Sequence, residues 1–351
     1  MIIKEKEMKT SQIYRPDSAP QAPKSALRGK LVRMKGIVVT RLGGPEVLEA
    51  RDVPPPAAES GKVLVRVQAG GVNFADLMTA QGGYPGTPKP PFIAGREFAG
   101  VEEATGRRVM GYTQWAAFAE KTAVRPELLW TVPDQWDAEQ AAAFPVNYFT
   151  AYFAYWEAGF LGGNNSGKRV LIHAAAGGVG TAAVQIGKIL GAEMYGTSSS
   201  EDKLARVREL GLQQAINYKE RDYEEAIKDL THAEGVDAVF EMLGGEHTAK
   251  SIRCLRDFGK VIQYGTATGK QSQLDLRALY AKAASVQGLW LTYLSGKREL
   301  MNEAWQQLSQ WIADGKLHPV VGHVFPAEQV PEAYRLLAER KNFGKVVLKI
   351  A

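Results

Sequence analysis

From residue 35 onward the chain alternates apolar and polar positions over short runs, notably residues 35–40 and 62–68, separated by Gly- and Pro-bearing turns such as residues 43–48. A period of two sets every second side chain against a core, so these runs predict short β-strands around a partly closed sheet. Residues 34 to about 145 therefore read as an irregular, mostly β domain. Past residue 141 the pattern changes. The uncharged run over residues 140–156 contains Pro145 and Asn147 and falls short of the roughly 20 residues that a membrane span needs, so it predicts a buried helix. A continuous apolar run over 169–175 follows, then a glycine turn and a helix to residue 190. Strands at 193–197, 215–218, 236–242 and 260–264 then alternate with helices at 201–210, 223–230 and 247–255. Repeated βα units of this kind specify a doubly wound parallel sheet. The end returns to the first style, with a helix at 297–313, strand-like residues 318–325, a short helix at 330–340 and a last strand at 345–350.

Composition narrows the class. With 45% hydrophobic and 23% charged residues over 351 positions, the chain has enough apolar surface for buried cores and the length of about two domains. The net charge of +5 suggests nucleic acid only until it is divided along the sequence. Residues 1–35 carry nine basic and three acidic residues, an excess larger than that of the whole chain, so the body is close to neutral and implies no basic binding face. The segment lacks the apolar core of a secretory signal. With Pro16, Pro20 and Pro23, residues 1–33 are expected to form a disordered basic arm outside the fold. The single Cys254 rules out an internal disulfide and a Cys-rich zinc site, and fits a reducing, cytoplasmic setting.

The strongest chemical signal is Ala174-Ala-Ala-Gly-Gly-Val-Gly180, set between a buried strand and a helix. Gly177 and Gly180 allow close backbone approach, while the helix N-terminus offers amide hydrogens to a pyrophosphate. Ala175 stands where the usual G-x-G-x-x-G begins, but the strand before and the βα units after supply the context. In such folds an acid about 20 residues on binds the ribose 2′-hydroxyl of NAD. Here the strand ends in Ser198-Ser-Ser200 with no acid before Glu201. Small hydroxyls leave room for a 2′-phosphate and Lys203 brings positive charge, so NADPH is the expected cofactor.

Other chemistries find little support. Residues 162–168 have G-x-x-x-x-G-K spacing, but Arg169 replaces the Ser or Thr and the segment leads into a strand, so a turn is expected rather than a phosphate loop. The five histidines, His173, His232, His247, His318 and His323, share no helix face. His318 and His323, five apart on a strand, should face opposite ways. No metal site is expected, and His173 reads as a satisfied core residue. Cys254 has no activating context, and no G-x-S-x-G elbow supports acyl-enzyme chemistry.

Several phrases together resemble the medium-chain dehydrogenase/reductase superfamily over residues 34–351. They are Gly44-Pro-Glu-Val-Leu48, Gly71-Val-Asn-Phe-Ala-Asp76 with Gly83-Tyr-Pro85, Gly95-Arg-Glu-Phe-Ala-Gly100, Thr150-Ala-Tyr152, the 174–180 loop and Asn342-Phe-Gly-Lys-Val-Val-Leu348. The chain looks most like the zinc-free quinone oxidoreductase branch, which includes zeta-crystallin and vesicle amine transport protein-like members. The resemblance implies an α/β fold in which a Rossmann doubly wound parallel sheet, residues 147–296, is inserted in a GroES-like, mostly β catalytic domain formed by residues 34–146 and 297–351. It also implies a homodimer pairing through residues 285–294 at the sheet edge.

Where zinc-dependent relatives hold their catalytic metal with Cys, His and Cys, this chain has Asn73, Arg96 and Val146, and the four-cysteine structural lobe is absent. The resemblance therefore implies metal-free reduction of an activated acceptor, a quinone or an α,β-unsaturated carbonyl. It gives Asn73 a place beside the nicotinamide, bonding the carboxamide or the substrate oxygen. Tyr84 lines the pocket, where it orients or protonates that oxygen or serves only as a packing anchor. The cofactor positions are Asn73, Thr150, Gly177, Gly178, Val179, Ser198, Lys203, Tyr218, Gly265 and Asn342. Within this set the glycine turn takes the pyrophosphate, Ser198, Lys203 and Tyr218 take the 2′-phosphate end, and Gly265 and Asn342 face the nicotinamide. A second function stays open: an NADPH-binding protein with a structural, sensing or lipid-associated role, its basic arm meeting an anionic surface. A third keeps the enzyme but gives it an enoyl thioester or a lipid-derived alkenal. No nucleic-acid partner is expected, and membrane contact is expected only through the arm.

Overall fold

Three sheets organise the molecule in the computed structural model, which describes residues 33–57, 59–272 and 274–350. The expected basic arm lies, apart from Arg33, outside the described residues. The largest sheet has seven strands and runs, by neighbours, Val321–Pro326, Lys345–Lys349, Val63–Val72, Glu97–Glu102, Arg108–Tyr112 and Leu129–Thr131, with Lys121–Val124 also paired to Val63–Val72. The last strand of the chain thus lies antiparallel against a strand of the first third, Val346 opposite Val72 and Leu348 opposite Gly70. A smaller sheet of Leu48–Val53, Met34–Val39 and Phe92–Ile93 packs nearby.

The third sheet is parallel and has the order Gln214–Asn217, Glu193–Ser198, Arg169–Ile172, Val236–Glu241, Leu255–Gln263, Ser285–Gly288. In chain sequence this is 3-2-1-4-5-6, the arrangement that reverses direction beside the first strand and opens a crevice at the strands' carboxyl ends. Its central strands read as apolar runs because helices cover both faces. Leu171, Tyr195, Val239 and Val261 form one core with Ile227 and Ile252, while Val170, Ile172 and Phe240 join the main core on the other face.

Differences from the expected elements have physical reasons. The uncharged stretch is two helices, Ala138–Ala142 and Pro145–Glu157, because Pro145 has no amide hydrogen to continue the first and starts the second at its first turn. Helix Phe74–Ala80 was not expected. It is short, and its capping box, in which the Asp76 carboxylate accepts from the Asn73 backbone at 2.9 Å, is written across residues that otherwise read as a strand end. The apolar run at 169–175 is strand only to Ile172, and of residues 285–294 only Ser285–Gly288 is strand, with Leu291–Leu294 helical. His318 precedes strand Val321–Pro326 rather than sharing it with His323.

His173, one residue beyond its strand, is fully buried between the Thr197 hydroxyl at 3.2 Å and the Ser251 hydroxyl at 3.1 Å. Burial disfavours the imidazolium and lowers its pKa to about 4, Glu241 opposing only in part. The folded value lies below the unfolded one, so the unfolded chain binds the extra proton and stability falls as pH drops from about 6.5 towards 4. At pH 5 this group should cost about 2 kcal/mol relative to pH 7.5. Urea unfolding at both pH values should show that slope in the native protein and a flatter one in His173→Gln.

Candidate active site

A cleft runs between the carboxyl ends of the parallel sheet and the seven-stranded sheet. Its floor joins the two, since the Gly344 amide donates to the Ala176 carbonyl at 2.8 Å beside a bridge between Gly177 and Gly344. All eleven residues marked in the sequence, Asn73, Tyr84, Thr150, Gly177, Gly178, Val179, Ser198, Lys203, Tyr218, Gly265 and Asn342, line this one cleft.

The glycine turn sits at its centre. Helix Gly178–Leu190 starts after Gly177 with no side chain capping it, leaving its first amides available to an anion. The glycines are there for space. A Cβ on Gly180 would lie 2.3 Å from the Ala174 carbonyl oxygen, and one on Gly178 would strike the Asn147 side chain at 2.7 Å. The start of the helix therefore lies closer to the turn before it and to helix Pro145–Glu157 than a side chain would allow.

One end of the cleft is polar and cationic. Ser198 closes its strand, and its carbonyl accepts from the Tyr218 amide at 3.1 Å. Ser200 caps helix Glu201–Leu210 by accepting from the Lys203 amide at 3.3 Å. The Lys203 ammonium reaches across to the Arg340 carbonyl at 2.7 Å and, among the described residues, forms no ion pair with a carboxylate. Its pKa is lowered by burial and then by the neighbouring Lys219, the condition of a cation that a phosphate dianion would relieve.

The other end is aromatic. The Trp290 indole donates to the Tyr84 hydroxyl at 2.8 Å. An indole nitrogen can only donate, so the Tyr84 oxygen accepts and its hydrogen is left to point elsewhere. The Tyr84 ring lies 4.0 Å from the Arg96 guanidinium, and Trp115 lies 4.5 Å from it. Tyr112 shares a 2.8 Å hydrogen bond with Thr292, and burial pushes its phenol up to about 12.

Between the ends lies a buried network that sequence reasoning missed. Lys345, 3% exposed, donates to Asn73 Oδ1 at 2.7 Å and to Glu97, whose other oxygen accepts from the Val146 amide at 2.7 Å. The Asn73 amide nitrogen donates to Glu97 at 2.7 Å and to the Gly71 carbonyl at 3.2 Å. Asn73 therefore faces the cleft with both amide hydrogens engaged, as a held wall. Beside it Arg96 pairs with Asp76 at 3.4 Å and donates to the Thr79 hydroxyl at 2.6 Å. Burial raises the Asp76 carboxyl to about 6 against the pull of Arg96. The missed residues had a signal: Glu97 and Lys345 are charges that open mostly apolar strands, where a buried charge survives only if it is paired.

A 3-2-1-4-5-6 parallel sheet with an uncapped glycine turn facing a second, β-rich unit defines the two-domain dinucleotide-dependent oxidoreductases. Comparisons with known proteins agree. Residues 59–134 match the alcohol dehydrogenase GroES-like domain and residues 178–314 the zinc-binding dehydrogenase family. The synaptic vesicle membrane protein VAT-1 homolog of Rattus norvegicus is 36% identical over 343 residues, covering 90% of this chain and 84% of that protein. The quinone oxidoreductase of Homo sapiens is 31% identical, covering 90% and 97%. A crystal structure of the quinone oxidoreductase from Thermus thermophilus, also solved in complex with NADPH, superposes with a TM-score of 0.81 at 38% identity, covering 90% of this chain and 100% of that one. The chain belongs to the zinc-free quinone oxidoreductase branch of the medium-chain dehydrogenase/reductase superfamily. Among the described residues no helix is long and apolar enough to cross a membrane.

Proposed function

We propose that the protein is a zinc-independent, NADPH-dependent reductase of quinones or α,β-unsaturated carbonyls. The observation that carries this reading is one cleft with a cation, Lys203, that has no carboxylate partner among the described residues, beside Ser198 and Tyr218 at one end, and an aromatic pocket at the other. NADPH fits that cleft: the amides after Gly177 suit its pyrophosphate and Lys203 its 2′-phosphate, while Thr150, Gly265, Asn342 and the held Asn73 border the space left for the nicotinamide. When bound it supplies a hydride. The chain's own part is to hold the acceptor at that end, exclude water with Tyr84, Trp290 and Leu291, and offer the Tyr84 hydroxyl hydrogen to the acceptor oxygen.

Zinc does not fit the corresponding positions. The Asn73 carbonyl oxygen already accepts from the Lys345 ammonium at 2.7 Å, the Val146 side chain has no ligand atom, and Arg96 brings a permanent cation to the place of a ligand. On this reading residues 34–146 with 297–351 form the catalytic domain and residues 147–296 the nucleotide domain. The enzyme is a homodimer through the edge strand Ser285–Gly288, beside which Leu276 and Tyr280 are exposed. Sedimentation should give twice the monomer mass.

The test is the initial rate of NADPH oxidation with an ortho-quinone and with an enone, against NADH under the same conditions. NADPH-selective turnover supports the proposal. Tight NADPH binding without turnover across both acceptor classes overturns it in favour of a binding protein. Tyr84→Phe should lower kcat about tenfold, the worth of one hydrogen bond, with the NADPH Kd unchanged by fluorescence titration.

A further inference from the structure

The cation at Arg96 goes beyond what a packed pocket wall requires. The residue is 2% exposed yet lines the aromatic end of the cleft. It is held from behind by Asp76 and Thr79 and flanked by the rings of Tyr84 and Trp115. One terminal nitrogen donates to the Thr79 hydroxyl at 2.6 Å and the other only at 3.4 Å to the Gln114 carbonyl, while Nε, which makes no hydrogen bond, faces the Asp76 carboxylate at 3.4 Å. An arginine is charged at every pH of interest and presents its donors as a rigid fork. A buried fork whose two terminal nitrogens each have one hydrogen-bond acceptor among the described backbone and hydroxyl groups, over the Tyr84 ring and beside the Tyr112 hydroxyl, suits an oxygen that carries or acquires negative charge.

We propose that Arg96, with the hydroxyls of Tyr84 and Tyr112, forms an oxyanion subsite that recognises the conjugated oxygen of the acceptor, and that it favours acceptors whose reduced form is a phenolate or enolate. The inference rests on the reductase reading and names its specificity. In the reaction the acceptor carbon gains the hydride, the π pair moves onto the conjugated oxygen, NADPH leaves as NADP⁺, and one proton from Tyr84 or water completes the product. Arg96 cannot give that proton, so its part is electrostatic. Asp76 stands behind it and partly balances its charge, which keeps the site from trapping the anion.

The test is an optical titration of NADP⁺-loaded protein with 4-nitrophenol, an unreactive mimic whose phenolate absorbs visibly. The native protein is expected to bind the phenolate in preference to the phenol. Arg96→Met alone strands Asp76 in the core and is expected to fold poorly. The double variant Arg96→Met/Asp76→Asn removes both charges together, and NADPH affinity serves as its control for folding. It should bind nitrophenolate about tenfold more weakly, lose the preference for the anion, and lose about tenfold in kcat with an ortho-quinone; Arg96→Lys should recover part of each. Unchanged nitrophenolate binding in the double variant overturns the subsite, whatever the turnover. Arg96-dependent nitrophenolate binding in a protein that turns over no acceptor keeps the subsite and overturns the reductase reading instead.

Discussion

Lys345→Met is expected to lower the unfolding free energy by about 3–5 kcal/mol, because it strands the fully buried Glu97 carboxylate without its counter-ion. Lys345 and Glu97 lie on two strands that are not paired with each other: Lys345–Lys349 pairs with Val63–Val72, which pairs with Glu97–Glu102. The ammonium reaches across the middle strand and also holds Asn73. Glu97 in turn accepts from the Val146 amide at the start of helix Pro145–Glu157, so one ion pair ties the chain's last strand, strand Glu97–Glu102 and the helix that leads into the parallel sheet. The loss should therefore appear in both halves of the molecule as a single transition. Urea unfolding followed by tryptophan fluorescence and by circular dichroism measures it. Lys345→Met/Glu97→Gln, which removes both charges, should recover much of the loss, and a double variant as unstable as the single one would show that the pair is not what the stability depends on.

Much of this architecture was legible because it is written in periodicity. Helices Glu201–Leu210 and Tyr223–Leu230 carry caps at Ser200 and Asp222 and apolar residues at helical spacing, so local chemistry and tertiary burial agree. The parallel strands were legible as apolar runs, since both faces are covered. Short elements with mixed roles were harder. Phe74–Ala80 packs Leu77 and Ala80 into the core and also turns Asp76 back to its own cap and to Arg96, and no seven-residue window separates those demands. The site was legible in part for the same reason. Glycines that a Cβ would block and a serine run without an acid announce themselves within a few residues. The Asn73–Glu97–Lys345 cluster brings together positions up to 272 apart, and only the fold reveals that three polar side chains satisfy one another.

On the proposed reading, cofactor choice turns on Lys203, a feature small enough to remove with one substitution. Lys203→Ala is expected to raise the NADPH Kd roughly 10- to 100-fold, the loss of one charge-assisted hydrogen bond to a phosphate at about 1.5–3 kcal/mol, and to leave the NADH Kd unchanged. The Lys203 amide bonded to Ser200 is backbone and survives the change, so the helix cap and the fold are kept. What is lost is the ammonium, which in the free protein rests on the Arg340 carbonyl and gives up only a neutral acceptor when it turns to a dianion. The neighbouring Lys219 sharpens the effect, because it disfavours a second cation until negative charge arrives. Paired titrations of the native and variant proteins with NADPH and NADH, repeated at high salt, test this. The selectivity should shrink as salt screens the phosphate contact in the native protein and change little in Lys203→Ala. Equal losses for both cofactors would mean that Lys203 supports the cleft as a whole, and would move the 2′-phosphate away from the serine run.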